Sequence, residues 1–176
     1  MDINQIISIA ITQAFADIKE MFASRSNIPN IDYLNNVSFY FKDGVEEAEN
    51  SFVLGGMETL MDDEYEIYIH HETMMDLIHD DAKWIAHCKE SDPSFYNYSE
   101  ENERLIAIIV ETIYHEVRHT LSVERIGATK YQSEYHSENI QNGYWQNRFE
   151  RSARAMQKQS VTTINKILPL LKEVDE

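Results

Sequence analysis

Two histidines four residues apart, with a glutamate directly after the first, constrain this chain more than any other feature: His115-Glu116-Val117-Arg118-His119. On an α-helix, residues i and i+4 stack one above the other about 6 Å apart. Both imidazoles can therefore reach one metal ion at ~2.1 Å. Glu116 is rotated about 100° round the helix, where it is awkward as a ligand but well placed to polarise a metal-bound water. The pattern has this meaning only on a helix, and its flanks predict one. Leu105, Ile106, Ala107, Ile108, Ile109 and Val110 lead in, and Gly127 marks the exit. Leu105, Ile108, Thr112, His115 and His119 share one stripe, while Ile106, Ile109, Val110, Ile113 and Val117 share another. A helix apolar nearly all round is a buried one. Two buried histidines without a partner are costly, which favours a metal over an ordinary amphipathic helix carrying two incidental histidines.

A catalytic zinc site takes three protein ligands and keeps a fourth position for water. Glu124, Glu134, His136, Glu138 and Glu150 are the downstream candidates, and Glu150 opens a helical stretch as Glu150-Arg151-Ser152-Ala153. Here the residues resemble the gluzincin metallopeptidases, in which H-E-x-x-H is joined by a Glu from a following helix, commonly within E-x-x-A. His115, Glu116 and His119 match the first motif, and Glu150 and Ala153 match the second. The interval of 31 residues between His119 and Glu150 suits the small members called minigluzincins. The resemblance is firm over residues 101–158 and only architectural before them. It implies one Zn2+ per chain on His115, His119 and Glu150, with Glu116 as general base cleaving a peptide or protein substrate. It also implies an α+β, zincin-like fold. That fold has a short twisted sheet of about three strands, antiparallel or mixed, packed on an N-terminal helix, an active-site helix and a glutamate helix.

The small Ala153 would let the glutamate helix approach closely. Many gluzincins carry Asp or Asn one residue after that Ala, where it orients a ligating His; this chain has Arg154 there. Orientation must then come from elsewhere, and Glu111, one turn before His115, is a candidate. The oxyanion of a tetrahedral intermediate needs a donor besides the metal. No His or Tyr follows Glu150, which leaves Tyr131, Tyr135, His136, Tyr144 or Arg154. His136 comes first, because a His in a polar connector costs little to protonate.

Two other classes stay open. Glu116-x-x-His119 also suits a carboxylate-bridged di-iron bundle, with Asp76-x-x-His79 as the second pair. A non-enzymatic zincin-fold binding protein could instead use its acidic surface. Residues 1–117 hold 24 acids against 6 bases, whereas residues 118–176 hold 7 against 9. A net charge of −16 argues against nucleic-acid phosphates as a partner, and a solubilising surface is its simplest meaning. The 176 residues are expected to form one domain, residues 1–176. No apolar run approaches the ~18–20 residues of a membrane span. The amphipathic first 22 residues lack a basic start and a cleavage site, so the cytoplasm is the expected compartment. Cys88 stands alone and is expected to be a buried, inert thiol.

Periodicity predicts a helix over residues 3–24, a turn over 27–30, and strands over 37–41, 51–54 and 64–70 forming a small antiparallel sheet. Residues 65–69 are expected as the edge strand bordering a cleft. One helix is expected over 72–89, with Met75, Ile78, Trp84, Ile85 and Cys88 inward. The motif helix starts at a Ser99 cap and runs to about residue 123. An irregular connector over 127–143 and a last helix over 144–173, bending before Pro169, complete the order.

Overall fold

The computed structural model describes residues 2–25, 31–44, 46–48, 51–60 and 64–172. The turn expected over residues 27–30 lies outside them. The chain is α+β, mostly helical with a small mixed sheet.

Helix α1 (Ile3–Ala23) opens on a capping box in which Asp2 accepts from the Gln5 amide at 2.9 Å and Gln5 accepts from the Asp2 amide at 3.0 Å. Ile6, Ala10, Ala14, Ile18 and Phe22, spaced by fours, are buried against α4 (Glu101–Ile126) and α7 (Ser160–Lys172). The two alanines let the helix axes approach. Helix α4 is the centre of the molecule. A capping box on Glu100 and Glu103 starts it, one residue after the expected Ser99, and Gly127, at φ +83, ends it. Every residue from Leu105 to Tyr114 is buried, because α1, α7 and α6 (Arg148–Gln157) cover one side and the sheet covers the other.

The sheet differs from expectation. Strand β1 (Val37–Lys42) runs parallel to β5 (Tyr65–His70), in register from Val37 opposite Tyr65. Strand β4 (Gly55–Thr59) runs antiparallel on the other side of β5. The order β1-β5-β4 makes β5 the central strand, not the edge. Ser51–Val53 (β3) pairs instead with Glu46–Ala48 (β2) in a separate ribbon. Gly55 and Gly56, just past the strand expected over residues 51–54, begin a strand of their own. A side chain on Gly55 would strike the Tyr68 carbonyl oxygen, and one on Gly56 would sit 2.7 Å from the Tyr68 hydroxyl. The pair marks a close approach of backbone rather than a break.

Asp80 splits the expected connecting helix into α2 (His71–His79) and α3 (Asp81–Glu90). Its extended backbone and its carboxylate cap α3 through the Ala82 and Lys83 amides at 2.9 and 3.1 Å. Met74 rather than Met75 is buried, and Ile85 is exposed. Residues 128–142, expected to be irregular, form the regular helix α5 (Ala128–Asn142) between two glycines of positive φ. Only Tyr131 on it is buried, so no apolar stripe betrays it. The last helix is two: α6 ends at Gln157, residues 158–159 turn, and α7 carries Pro169 inside it. No helix of the described residues is long and apolar enough to cross a membrane.

Candidate metal centre

Helix α4 carries His115 and His119 on the face turned to α6, and Glu150 occupies the first turn of α6. Asn147 fixes that turn. It is fully buried, its Oδ1 caps the Phe149 amide at 2.9 Å, and its Nδ2 donates to Tyr135 O at 3.1 Å and to Asn139 Oδ1 at 2.7 Å. Ala153, with no exposed surface, lies one turn on, as the close approach of α6 to α4 requires.

The three side chains converge. His119 Nε2 is 3.1 Å from His115 Nε2; Glu150 Oε2 is 3.3 Å from His115 Nε2, and Oε1 is 3.4 Å from His119 Nε2. Ligands bound at ~2.1 Å round a tetrahedral ion lie about 3.4 Å from one another. The observed triangle has that size, so His115, His119 and Glu150 form a group that can hold a metal ion. Among the described residues no other such cluster occurs. Glu150 Oε2 is sealed from solvent without an aligned hydrogen-bond donor, a costly state for a carboxylate that a cation relieves.

Charge follows the geometry. Burial alone would lower His115, but contact with Glu150 and the charges of Glu116 and Glu150 raise it to about 9. Burial, reinforced by His115, drives His119 down to about 3. Burial would raise Glu150, yet the two histidines hold it at about 2. A cation bound through His115 Nε2 displaces that proton, so affinity rises with pH up to about 9.

Behind each ligand stands a positioning group. His115 Nδ1 donates to Gln157 Oε1 at 3.0 Å, and Gln157 Nε2 donates to Glu111 Oε2 at 2.9 Å and Ser91 Oγ at 3.2 Å. Glu111 is completed by the His87 ring. Glu111 therefore supports His115 through Gln157 rather than directly. Gln157 lies seven residues, two turns, beyond Glu150 on the same face of α6, a spacing from which it could have been found. His119, with Nε2 free for a metal, donates from Nδ1 to the Tyr131 hydroxyl at 2.7 Å, and the Tyr135 hydroxyl donates to Glu150 Oε1 at 2.5 Å. Removing Gln157 by Gln157→Ala is expected to weaken metal affinity about 10–100-fold with the helices intact, as measured by competition against a chromophoric chelator.

Glu116 is buried, and among the described residues it has no hydrogen-bond partner. Burial raises its pKa, His115 opposes and Glu150 adds, to about 7. It lines a cavity of about 850 Å³ together with the three ligands; β4, through Gly55, Gly56 and Met57, forms the opposite rim. The edge strand at the cleft is thus β4.

Other expected residues are placed elsewhere. His136, expected to face the site, is exposed and does not line the cavity. It sits one residue past Tyr135, about 100° round α5, facing away. Tyr131 and Tyr135 are engaged behind the ligands. Tyr144, 48% exposed, lines the cavity, and burial of its hydroxyl and the Glu150 charge raise its pKa. Glu124 accepts from Tyr65, while Glu134 and Glu138 pair with Arg148. Asp76 pairs with Lys83, and His79 lies 3.7 Å from Glu101, so neither builds a second metal pair. Arg118 donates to Ser122, away from Glu150, whereas Arg154 Nη1 lies 3.8 Å from Glu150 Oε2. Cys88 is buried and its thiol is pushed up to about 11, chiefly by burial.

Comparison with protein-family models, curated proteins and solved structures finds no match to this chain.

Proposed function

We propose that the protein is a small zinc-dependent peptidase with a zincin-like fold. The observation that carries this reading is Glu116, a buried carboxylate without a hydrogen-bond partner among the described residues, beside a two-histidine, one-carboxylate cluster on the wall of a cavity. Two imidazoles and one carboxylate suit zinc, with a position left open. The same ligand types serve mononuclear iron oxygenases; what favours hydrolysis is the base beside them. Zinc, when bound by His115, His119 and Glu150, supplies Lewis-acid charge and lowers the pKa of water towards ~7.

The chain's own residues supply the remainder. Glu116 accepts the proton of the attacking water and delivers it to the leaving amine nitrogen. Its pKa, raised to about 7, suits both halves of that transfer. Tyr144 is the donor we assign to the tetrahedral oxyanion, since it lines the cavity and its hydroxyl lies beside Glu150, next to where the metal would sit. Strand β4 is an edge among the described residues, and at Gly55 and Gly56 it presents backbone without side chains. An extended peptide can pair with it by β-augmentation.

The test is direct. Metal-loaded protein incubated with a mixed peptide pool is expected to yield fragments by mass spectrometry, with a chelator stopping cleavage and zinc restoring it. Absence of fragments while zinc is fully bound would refute the peptidase reading and leave a metal-binding protein.

A further inference from the structure

A second cavity of about 570 Å³ adjoins the first, sharing Glu90, Ser91, Trp145, Arg154 and Gln157 with it. What distinguishes it is its charge. In a chain of net −16, one face of α6 contributes Arg151 and Arg154 to this basin, and Lys158, which caps the end of that helix, adds a third base against a single acid, Glu90. The three bases follow helical spacing, i, i+3 and i+7, so they project together. Among the described residues, Arg151 and Lys158 form no ion pair, although Glu90 shares their cavity.

Arg154 stands where the two cavities meet. Its Nη2 donates to the Trp145 carbonyl at 2.5 Å, and its guanidinium lies 4.9 Å from the Trp145 ring centre. These contacts hold the planar group in place. Its Nη1 is buried, 3.8 Å from Glu150 Oε2 and with no hydrogen-bond partner among the described residues. A guanidinium fixed on the wall shared by the two cavities, with Arg151 and Lys158 one turn to either side of it, offers the charge and planar shape that a carboxylate binds. Trp145, 56% exposed, gives the basin an apolar wall on which a side-chain stem can lie.

We propose that this basin is a carboxylate-recognition subsite. It binds a carboxylate of the peptide, from an acidic side chain or a free C-terminus, and it rests on the peptidase reading for calling that peptide a substrate. Arg154 neighbours a metal ligand, and an extended peptide advances ~3.3–3.6 Å per residue. The recognised carboxylate therefore lies within about two residues of the bond cut.

The experiment uses zinc-loaded Glu116→Gln protein, which retains bound peptide, and three peptides of equal length. One carries Glu and an amidated end, one Gln and an amidated end, and one Gln and a free C-terminus. Affinity is measured by calorimetry and by the fluorescence change of Trp145. One or both carboxylate-bearing peptides are expected to bind about ten-fold more tightly than the neutral one, and whichever does identifies the source of the carboxylate. The double variant Arg151→Gln, Lys158→Gln is expected to reduce that preference, and Arg154→Gln to remove it, with zinc content and neutral-peptide affinity unchanged. Equal affinity for all three peptides, no binding by any, or a preference that survives all these substitutions would overturn the subsite. Peptides bound selectively but left uncut by the wild type would sink the peptidase reading alone; cutting without preference would sink the subsite alone.

Discussion

Glu116→Gln is expected to keep its metal and lose its hydrolysis. Glutamine is nearly isosteric with glutamate, and Glu116 is not one of the three converging ligands. What the substitution removes is the basic oxygen. A positioned general base contributes about 10²–10⁴-fold to rate, and turnover of the peptide is expected to fall by that amount. The variant should also fold well, because Glu116 has no hydrogen-bond partner among the described residues to orphan. Its folded-state pKa lies above the ordinary carboxylate value, at about 7. The folded state thus holds a proton more tightly than the unfolded chain, and its contribution to stability is present below the ordinary value and lost as pH rises through about 7. In metal-free protein at pH 8, Glu116→Gln should therefore melt no lower than the wild type. Undiminished turnover in this variant would remove Glu116 from the mechanism.

Glu150→Ala is expected to lower metal affinity by at least about 10²-fold, beyond what a group behind a ligand commands. The reason is positional: the carboxylate is 3% exposed and lies 3.3 and 3.4 Å from the two histidine nitrogens. Arg154, 3.8 Å away, offers a competing explanation of Glu150 as half of a buried ion pair. The two accounts diverge in Arg154→Gln. A metal ligand keeps its function there, and zinc content is expected to stay unchanged. Full zinc occupancy in Glu150→Ala would end the three-ligand assignment.

Much of this centre was legible because its elements are local. The stripes of α4 show an apolar helix on every side, and only a central helix is buried that way. Phe149 and Ala153 bracket Glu150 on the inner face of α6, and both are buried, as their spacing implies. What escaped depends on contacts distant in sequence. Strand pairing is one case: nothing within residues 65–70 tells that β1 and β4 flank them, and Gly55-Gly56 looks like a stop until Tyr68 is seen filling the space beside it. Helix α5 is another, since a solvent-facing helix needs no apolar period. Its phase decides that Tyr131 and Tyr135 reach the ligands while His136 turns outward. Gln157 was hidden because an amide signals no chemistry by itself.

The most direct test of the central claim is the metal content of protein purified without added metal, set against protein concentration from amino-acid analysis. One zinc per chain is expected, with marked loss in His115→Ala and in His119→Ala. Two irons per chain, or a protein that takes up no metal even on titration with zinc, would contradict the account.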